Sequence, residues 1–136
     1  MRTLLSVLFL LYILFVTACN KSPQNITGHY TYLSKDSSVI NTMNIHAIEK
    51  DQFFFELHSN VDQYAGYIEG YAEVKNQNTA VFYTASEFDT CSIEFHITEN
   101  TIEFSEINGT CGRGLGADYF GKYKRVSKTP QEMPPH

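Results

Sequence analysis

Apolar and polar side chains alternate in short runs from residue 27 to residue 126, and these runs are rich in β-branched and aromatic residues. This alternation is typical of half-buried β-strands, because successive side chains point to opposite faces of a sheet. No part of the stretch shows the 3.6-residue repeat of an amphipathic helix. The pattern predicts eight strands, at about 27–33, 42–48, 53–58, 66–74, 79–85, 91–97, 101–107 and 118–126.

The connections between the predicted strands are short, apart from the glycine-rich stretch 108–117. Short connections join neighbouring antiparallel strands, so we predict an all-β antiparallel meander. Eight such strands can form a small closed or nearly closed barrel, which removes exposed sheet edges. The predicted inward side chains are Met43, Ile45 and Ala47; Phe53, Phe55 and Leu57; Ile68, Gly70, Ala72 and Val74; Cys91, Ile93, Phe95 and Ile97; Ile102 and Phe104.

The first eighteen residues have a different character from the rest of the chain. Arg2 precedes an apolar run from residue 4 to residue 16. This run is too short to span a bilayer, which needs roughly 20 helical residues. A basic residue followed by such a run is typical of a signal peptide.

The end of this segment reads Val16-Thr17-Ala18-Cys19 and resembles the lipobox of bacterial lipoproteins. The resemblance implies removal of residues 1–18 and attachment of lipid to Cys19, because the lipid is transferred to a thiol and the peptidase admits small side chains before it. An ordinary secretory peptide is the alternative. Two or three acyl chains would hold the mature protein firmly on a membrane.

The residue pattern suggests an organisation of the chain, and the lipobox resemblance suggests its location. Residues 19–26 form the lipidated N-terminus and a polar tether, and residues 27–126 form the barrel domain. Residues 127–136 contain three of the four prolines and are predicted to be a disordered tail. Asn20 favours the outer membrane in the sorting pattern of such lipoproteins. We expect a lipid-anchored domain on the cell membrane or the outer membrane, facing the periplasm or the cell exterior.

The mature chain would carry nine basic and fifteen acidic residues, a net charge of −6. Nucleic acid is therefore not an expected partner, since contacts to phosphates need clustered lysine and arginine. An acidic surface instead favours a cationic partner.

Two cysteines remain once Cys19 carries lipid. Cys91 and Cys111 are an even pair in an oxidising compartment, and a disulfide is the natural prediction. A zinc site is the alternative, but neither cysteine has further ligands at suitable spacing.

Two stretches resemble known lipoprotein domains. Gly28-His29-Tyr30, which opens the first predicted strand before a meander of this length, resembles small lipocalin-like barrel lipoproteins. The stretch 91–123 is similar to a β domain of periplasmic proteins, some of them lysozyme-inhibitor-like, in which a Cys-strand-turn-strand-Cys unit leads into a final Gly-x-Tyr strand. The resemblance implies protein binding and inhibition of lysozyme or a related cell-wall hydrolase. The segments that carry inhibition in the membrane-bound C-type lysozyme inhibitors are not found in this chain.

The sequence contains no nucleophile elbow, zinc-protease motif or phosphate loop. It therefore predicts no catalytic residues, no cofactor, no metal site and no enzyme activity. His46, His58 and His96 fall on the polar side of their predicted strands. The acids Glu69 and Glu73 share a face with Tyr67 and Tyr71, and a solvated face is the favoured interpretation.

A turn at residues 99–100 would set the register of the hairpin around it. It would place His96 opposite Glu103 and Glu94 opposite Ser105. An exposed His-Glu pair of this kind more often stabilises a surface than acts as an acid-base dyad.

The loop after Cys111 is the predicted contact with a protein partner. Glycines there let the backbone approach another surface closely, and arginine is enriched at binding hot spots. The candidate contact residues are Arg113, Leu115, Asp118 and Tyr119. An irregular crossover with no binding role is the alternative for this loop. For the whole protein, the alternatives are a carrier of a small apolar ligand in the barrel interior and a structural lipoprotein.

Overall fold

The computed structural model describes residues 25–36, 39–49, 51–61, 64–87, 89–111 and 118–133. The predicted signal peptide, Cys19, Arg113 and Leu115 lie outside these ranges. The described residues form eight strands and no helix. The strands are β1 (Gly28–Leu33), β2 (Val39–Glu49), β3 (Gln52–Val61), β4 (Tyr64–Asn76), β5 (Thr79–Ala85), β6 (Thr90–Ile97), β7 (Thr101–Asn108) and β8 (Lys122–Ser127).

Consecutive strands pair antiparallel, and the last strand pairs with the first. Tyr30 on β1 lies opposite Arg125 on β8, which closes the barrel. The predicted all-β closed meander is therefore confirmed. In the described ranges, no helix has the length and apolar character needed to cross a membrane.

Aromatic rings from several strands meet across the barrel interior. Phe55 on β3 packs edge to face against Phe82 and Phe95, with ring centroids 5.1 Å away in each case. Phe95 contacts Phe104 at 5.2 Å, and Phe104 contacts Tyr123 at 5.2 Å. Such pairs contribute about 0.5–1.5 kcal/mol each beyond the burial of their area. Side chains thus occupy the centre of the barrel.

The predicted inward side chains are buried with three exceptions. Ala47 is exposed, because it lies near the barrel rim, where the register of β2 shifts before Glu49. Gly70 and Val74 are only half-buried. Both lie on β4, close to the place where the pairing with β5 becomes irregular and then ends.

The hairpin of β6 and β7 follows the predicted register for only part of its length. His96 lies opposite Glu103, as predicted. The prediction that Glu94 lies opposite Ser105 is wrong, because the register shifts between Glu94 and Phe95 and brings Glu94 opposite residue 106. Ser105 still donates a hydrogen bond to Glu94 Oε1 at 2.8 Å.

A polar network closes the barrel end that lies beside the β1–β2 and β3–β4 connections. Asn41 Nδ2 donates to the carbonyl oxygen of Asp118 at 2.7 Å and to Tyr123 Oη at 2.9 Å. Ser59 Oγ donates to the same Asp118 carbonyl at 2.8 Å, and Tyr123 Oη donates to the Tyr119 carbonyl at 2.8 Å. Burial raises the pKa of Tyr123, so its phenol stays a donor. The network holds residues 118–120 in the barrel mouth.

The opposite end of the barrel holds the start of the described chain. Tyr30 Oη donates to the carbonyl of Ile26 at 2.7 Å. The guanidinium of Arg125 donates to the carbonyl of Asn25 at 2.5 Å and to that of Glu99 at 2.6 Å. The N-terminal segment is therefore fixed beside the β6–β7 turn.

The segment after β8 returns over the outer wall. Asn44 Nδ2 donates to the Gln131 carbonyl at 2.6 Å, and the Gln131 amide donates to Asn44 Oδ1 at 3.0 Å. His29 Nδ1 lies 2.8 Å from Asn44 Oδ1, and both side chains are buried. Ser127, the first residue of the predicted tail, ends β8; the described residues after it form no strand or helix, but Gln131 is anchored to β2.

Gly70 is expected to be intolerant of a side chain. A Cβ atom there would lie 2.3 Å from Cε2 of Phe82, whose ring is buried against Phe55. We expect Gly70→Ala to lower the free energy of unfolding by about 1–3 kcal/mol, as overpacking does, which urea titration would measure. In a Phe82→Leu background the same change should cost less, because the clashing ring is gone. Equal costs in both backgrounds would contradict this explanation.

Candidate binding cleft between β4 and β5

The ladder between β4 and β5 is short, although the alternation of residues along both strands predicts continuous pairing. It contains three register pairs, Glu73 with Val81, Val74 with Ala80 and Asn76 with Thr79. Beyond Glu73 the two strands continue without register pairs to each other. Among the described residues, the barrel wall therefore opens between residues 68–72 of β4 and residues 82–85 of β5.

Each side of this opening is supported by the strand behind it. β4 pairs with β3 without a register shift from Tyr64 to Glu73. β5 pairs with β6 from Thr79 to Ala85, also without a shift. The opening is thus a gap between two well-paired halves of the barrel, and the strands that border it are already held in place.

The described residues leave a cleft of about 460 Å³ at this opening. Residues 68–71 of β4 form one wall, and residues 82–84 of β5 form the other. The buried side chains of Ile68 and Phe82 make its floor apolar. Tyr71 and Tyr83 stand at the rim and are 57% and 64% exposed. A cleft with an apolar floor and an aromatic rim can hold an amphipathic ligand or a protein side chain.

The charged residues of the lining are both acids. Glu69 lies on the β4 wall and Asp89 lies beyond the end of β5, and the described lining includes no lysine or arginine. Glu69 also lies directly opposite Glu56 in the β3–β4 register. Like charges directly opposite each other in a sheet are destabilising. A cation bound beside Glu69 would relieve this repulsion.

The two facing carboxylates have different neighbours. Glu56 Oε2 lies 3.2 Å from His46 Nε2 and 3.4 Å from Asn44 Nδ2. Glu69 accepts a hydrogen bond from the phenol of Tyr67. Burial, this hydrogen bond and the two carboxylate charges raise the pKa of Tyr67, so its phenol remains a donor. Glu69 keeps further lone pairs to accept hydrogen bonds from a cationic partner.

Aromatic side chains extend from the cleft across the outer wall. The ring of Tyr71 lies 5.1 Å from that of Phe54 on β3, and Phe54 lies 6.1 Å from His46 on β2. Four residues further along the two strands, beyond Glu56 and Glu69, the rings of His58 and Tyr67 are 4.6 Å apart. Cations bind over the faces of such rings, which adds to the attraction of the carboxylates.

The disulfide lies at one end of the cleft. Cys91 on β6 is bonded to Cys111, as the sequence predicts, and both line the cleft. Next to it, Asp89 accepts hydrogen bonds from the Thr110 hydroxyl and, at 3.2 Å, from the Thr110 amide. These bonds lower the pKa of the Asp89 carboxyl, so the group is charged at neutral pH.

The predicted contact residues that the structure describes have structural roles. The carbonyl of Asp118 accepts the two hydrogen bonds of the polar network, while its Oδ1 accepts one from the Phe120 amide at 2.9 Å. Tyr119 is completely buried, so its ring is not presented to a partner. We therefore do not carry Tyr119 forward as a contact residue. Arg113 and Leu115 lie outside the described residues, and their predicted role stays a prediction.

The cleft was not predicted from the sequence, although the pattern of residues contains a signal for one wall. Alternation places Glu69 on the same strand face as Tyr67 and Tyr71, and a solvated surface was the favoured interpretation. The structure adds Tyr83 and Phe82 from β5 across the opening. Among the three histidines assigned to polar faces, His58 is buried, because the ring of Tyr67 covers it.

In the part of the chain that the structure describes, no group of three histidine, cysteine or acidic residues is arranged to hold a metal ion. The described geometry thus defines a small antiparallel β-barrel with an acidic, aromatic cleft in its wall. No family model, curated protein or solved structure matches the chain. The resemblance to lipocalin-like and lysozyme-inhibitor-like lipoproteins remains a prediction from the sequence.

Proposed function

We propose that the protein is a lipid-anchored binding module that captures a basic protein partner in the β4–β5 cleft. The observation that carries the proposal is that one cleft is lined both by two exposed tyrosines, Tyr71 and Tyr83, and by the carboxylates of Glu69 and Asp89. Tyrosine gives a large contact area, and carboxylates favour lysine and arginine on the partner. The proposal assigns the protein binding without catalysis.

The position of the N-terminus supports this proposal. Asn25 is fixed beside the β6–β7 turn, six residues after Cys19, and six extended residues span roughly 20 Å. A lipid on Cys19 would therefore keep that end of the barrel close to the membrane. The cleft extends toward Asp89 and Cys111 at the other end. A partner in the periplasm or outside the cell could reach it.

A cell-wall hydrolase such as lysozyme is the partner class that we place first. C-type lysozymes are basic, and the mature chain would have a net charge of −6. Attraction between opposite net charges of this size accelerates the encounter of the two proteins, and added salt weakens this attraction. Binding near the active site of such an enzyme would make the protein an inhibitor that protects the cell wall.

We expect replacement of the tyrosines and of Glu69 to weaken capture of a basic partner. Tyr71→Ala should cost about 2 kcal/mol of binding, roughly 30-fold in Kd, if this ring is a hot spot. Glu69→Gln should mainly reduce the association rate and its dependence on salt. The measurement is binding of the purified protein to a panel of lysozymes and other basic proteins, together with residual lysozyme activity.

Matched controls lie on the far side of the barrel. Glu103→Gln removes an exposed carboxylate on β7, and Val126→Ala shortens an exposed apolar side chain on β8. Both controls should bind like the wild type. If the cleft variants also bind like the wild type, the cleft is not the site. If the wild type binds no basic protein, the proposed partner class is wrong.

The cleft volume favours one second candidate, a carrier of a small ligand. About 460 Å³ over an apolar floor is within the range of small-molecule sites. The ligand would then enter through the wall, since aromatic side chains occupy the barrel centre. A carrier purified without denaturation should release a bound small molecule on organic extraction, detected by mass spectrometry, and Phe82→Ala should change its amount.

A further inference from the structure

The open edge of β4 can serve as a template for another strand. The hydrogen bond from the Val74 amide to the Asp51 carbonyl, 2.8 Å long, shows that the backbone polar groups of Val74 face β3. Because β4 and β3 pair without a register shift, the same orientation recurs at every second residue, including Gly70 and Ile68. The N–H and C=O groups of the residues between them point toward β5.

Two consecutive members of this second set, Glu69 and Tyr71, line the cleft. They lie beyond the last register pair of β4 with β5. Their side chains stand on the outer wall, and their backbone donors and acceptors point into the cleft. On the opposite wall, the amide of Ser86 donates to the Asp89 carbonyl, so the backbone polar groups of Ser86 face β6. Because this direction alternates from one residue to the next along β5, the backbone polar groups of Tyr83 face the cleft.

Of the features that usually protect an exposed strand, this edge lacks lysine, proline and a bulge. Natural proteins place lysine, proline or a bulge on open edges, because an unprotected edge pairs with other chains. Residues 64–72 contain no lysine and no proline, and their pairing with β3 shows no bulge. The edge is regular and its other side is paired with β3, as in a strand-docking site.

We propose that the partner contributes an extended segment that pairs with the β4 edge in the cleft and places a lysine or arginine side chain opposite Glu69. This inference rests on the proposed function and specifies how the partner is held. Main-chain hydrogen bonds to Glu69 and Tyr71 supply affinity, and the outward side chains of the segment supply specificity. A cation opposite Glu69 also offsets the repulsion from Glu56 across the strand.

The probe is a synthetic seven-residue peptide of alternating lysine and valine, and its control is a peptide of alternating glutamate and valine. Hydrogen exchange of the purified protein, followed by NMR, reports each amide. In the free protein we expect the amides of Glu69 and Tyr71 to exchange quickly and those of Ile68 and Gly70 to exchange slowly. Saturating lysine-valine peptide should slow the first pair at least tenfold. The glutamate-valine peptide should have no effect.

Two further peptides test for main-chain pairing directly. Each is the lysine-valine peptide with backbone N-methyl groups on one of the two alternating sets of residues. One methylated peptide should lose binding, because its methyl groups replace the donors that face β4, and the other should bind within a few-fold of the parent. Glu69→Lys should reverse the preference in favour of the glutamate-valine peptide.

Each contrary result has a defined meaning. Slow exchange of the Glu69 and Tyr71 amides in the free protein would show that this edge is already paired and would overturn the inference. It would also be overturned if the lysine-valine peptide failed to bind or if both methylated peptides bound equally well. Basic proteins could still bind in a way that depends on Glu69 and Tyr71, and the proposed function would then stand with side-chain contacts alone. Loss of that dependence would remove both proposals.

Discussion

Replacing Cys19 with alanine is expected to release the protein from the membrane completely. The substitution removes the thiol that the lipobox resemblance assigns to the lipid, and the segment 4–16 is too short to remain as a stable transmembrane helix. Each buried methylene of an acyl chain contributes about 0.8 kcal/mol, so loss of two or three chains removes the anchor entirely. Fractionation of cells that express each form, with metabolic labelling by a fatty acid, would measure this.

The control is a substitution that keeps the thiol. Asn20→Ser leaves Cys19 and the residues before it unchanged, so acylation and membrane fractionation should persist. A wild-type protein that is exported and cleaved but carries no fatty acid would contradict the prediction. Membrane fractionation of an unacylated Cys19→Ala protein would mean that another segment holds it.

Loss of the disulfide should cause the largest drop in stability of the barrel. The bond between Cys91 and Cys111 closes a loop of sequence separation 20, and closing a loop of about this size stabilises a fold by roughly 3 kcal/mol in the chain-entropy model. For a domain of this length, 3 kcal/mol corresponds to a fall in Tm of roughly 12–24 °C. Urea titration and thermal melting of the oxidised and the reduced protein would measure both quantities.

The double variant Cys91→Ala/Cys111→Ala distinguishes the effect of losing the disulfide from any other effect of the reducing agent. It should resemble the reduced wild type, and a reducing agent should not change its stability. The variant should also bind a basic partner less tightly, because both cysteines line the cleft. If the oxidised and reduced proteins had equal stability, the bond would not contribute to the fold as we expect.

The strands were predictable because one face of nearly every strand is buried. Met43 and Ile45, or Phe53 and Phe55, alternate with polar residues, and burial enforces that register. Continued alternation would also have placed Asn41 and Ser59 inside the barrel. Because both side chains are polar, the predicted second strand began after Asn41 and the predicted third strand ended before Ser59. They are tolerated in the interior because the Asp118 carbonyl accepts a hydrogen bond from each.

The candidate site was less accessible to sequence reasoning. Glu69 and Tyr71 could be placed on one strand face, but the same pattern describes any solvated sheet surface. Phe82 and Tyr83 belong to the next strand, and nothing local to them shows that β5 leaves β4 after Val81. Only the position of both strands reveals that these residues border one cleft.

An antiparallel barrel of short strands with one disulfide could be predicted from the order of the residues alone. The alternation of apolar and polar residues, the turn residues and the two cysteines other than Cys19 can all be read from the sequence, and each is compatible with few arrangements of the chain. The position of the opening in the wall, its acidic and aromatic lining and the burial of Tyr119 in the barrel mouth are evident only from the folded chain. These features depend on how distant segments pack: Phe82 lies over Gly70 on β4, and Asn41 and Ser59 hold the segment after residue 117. Such contacts join residues far apart in the chain, and the periodicity of a single strand carries no information about them.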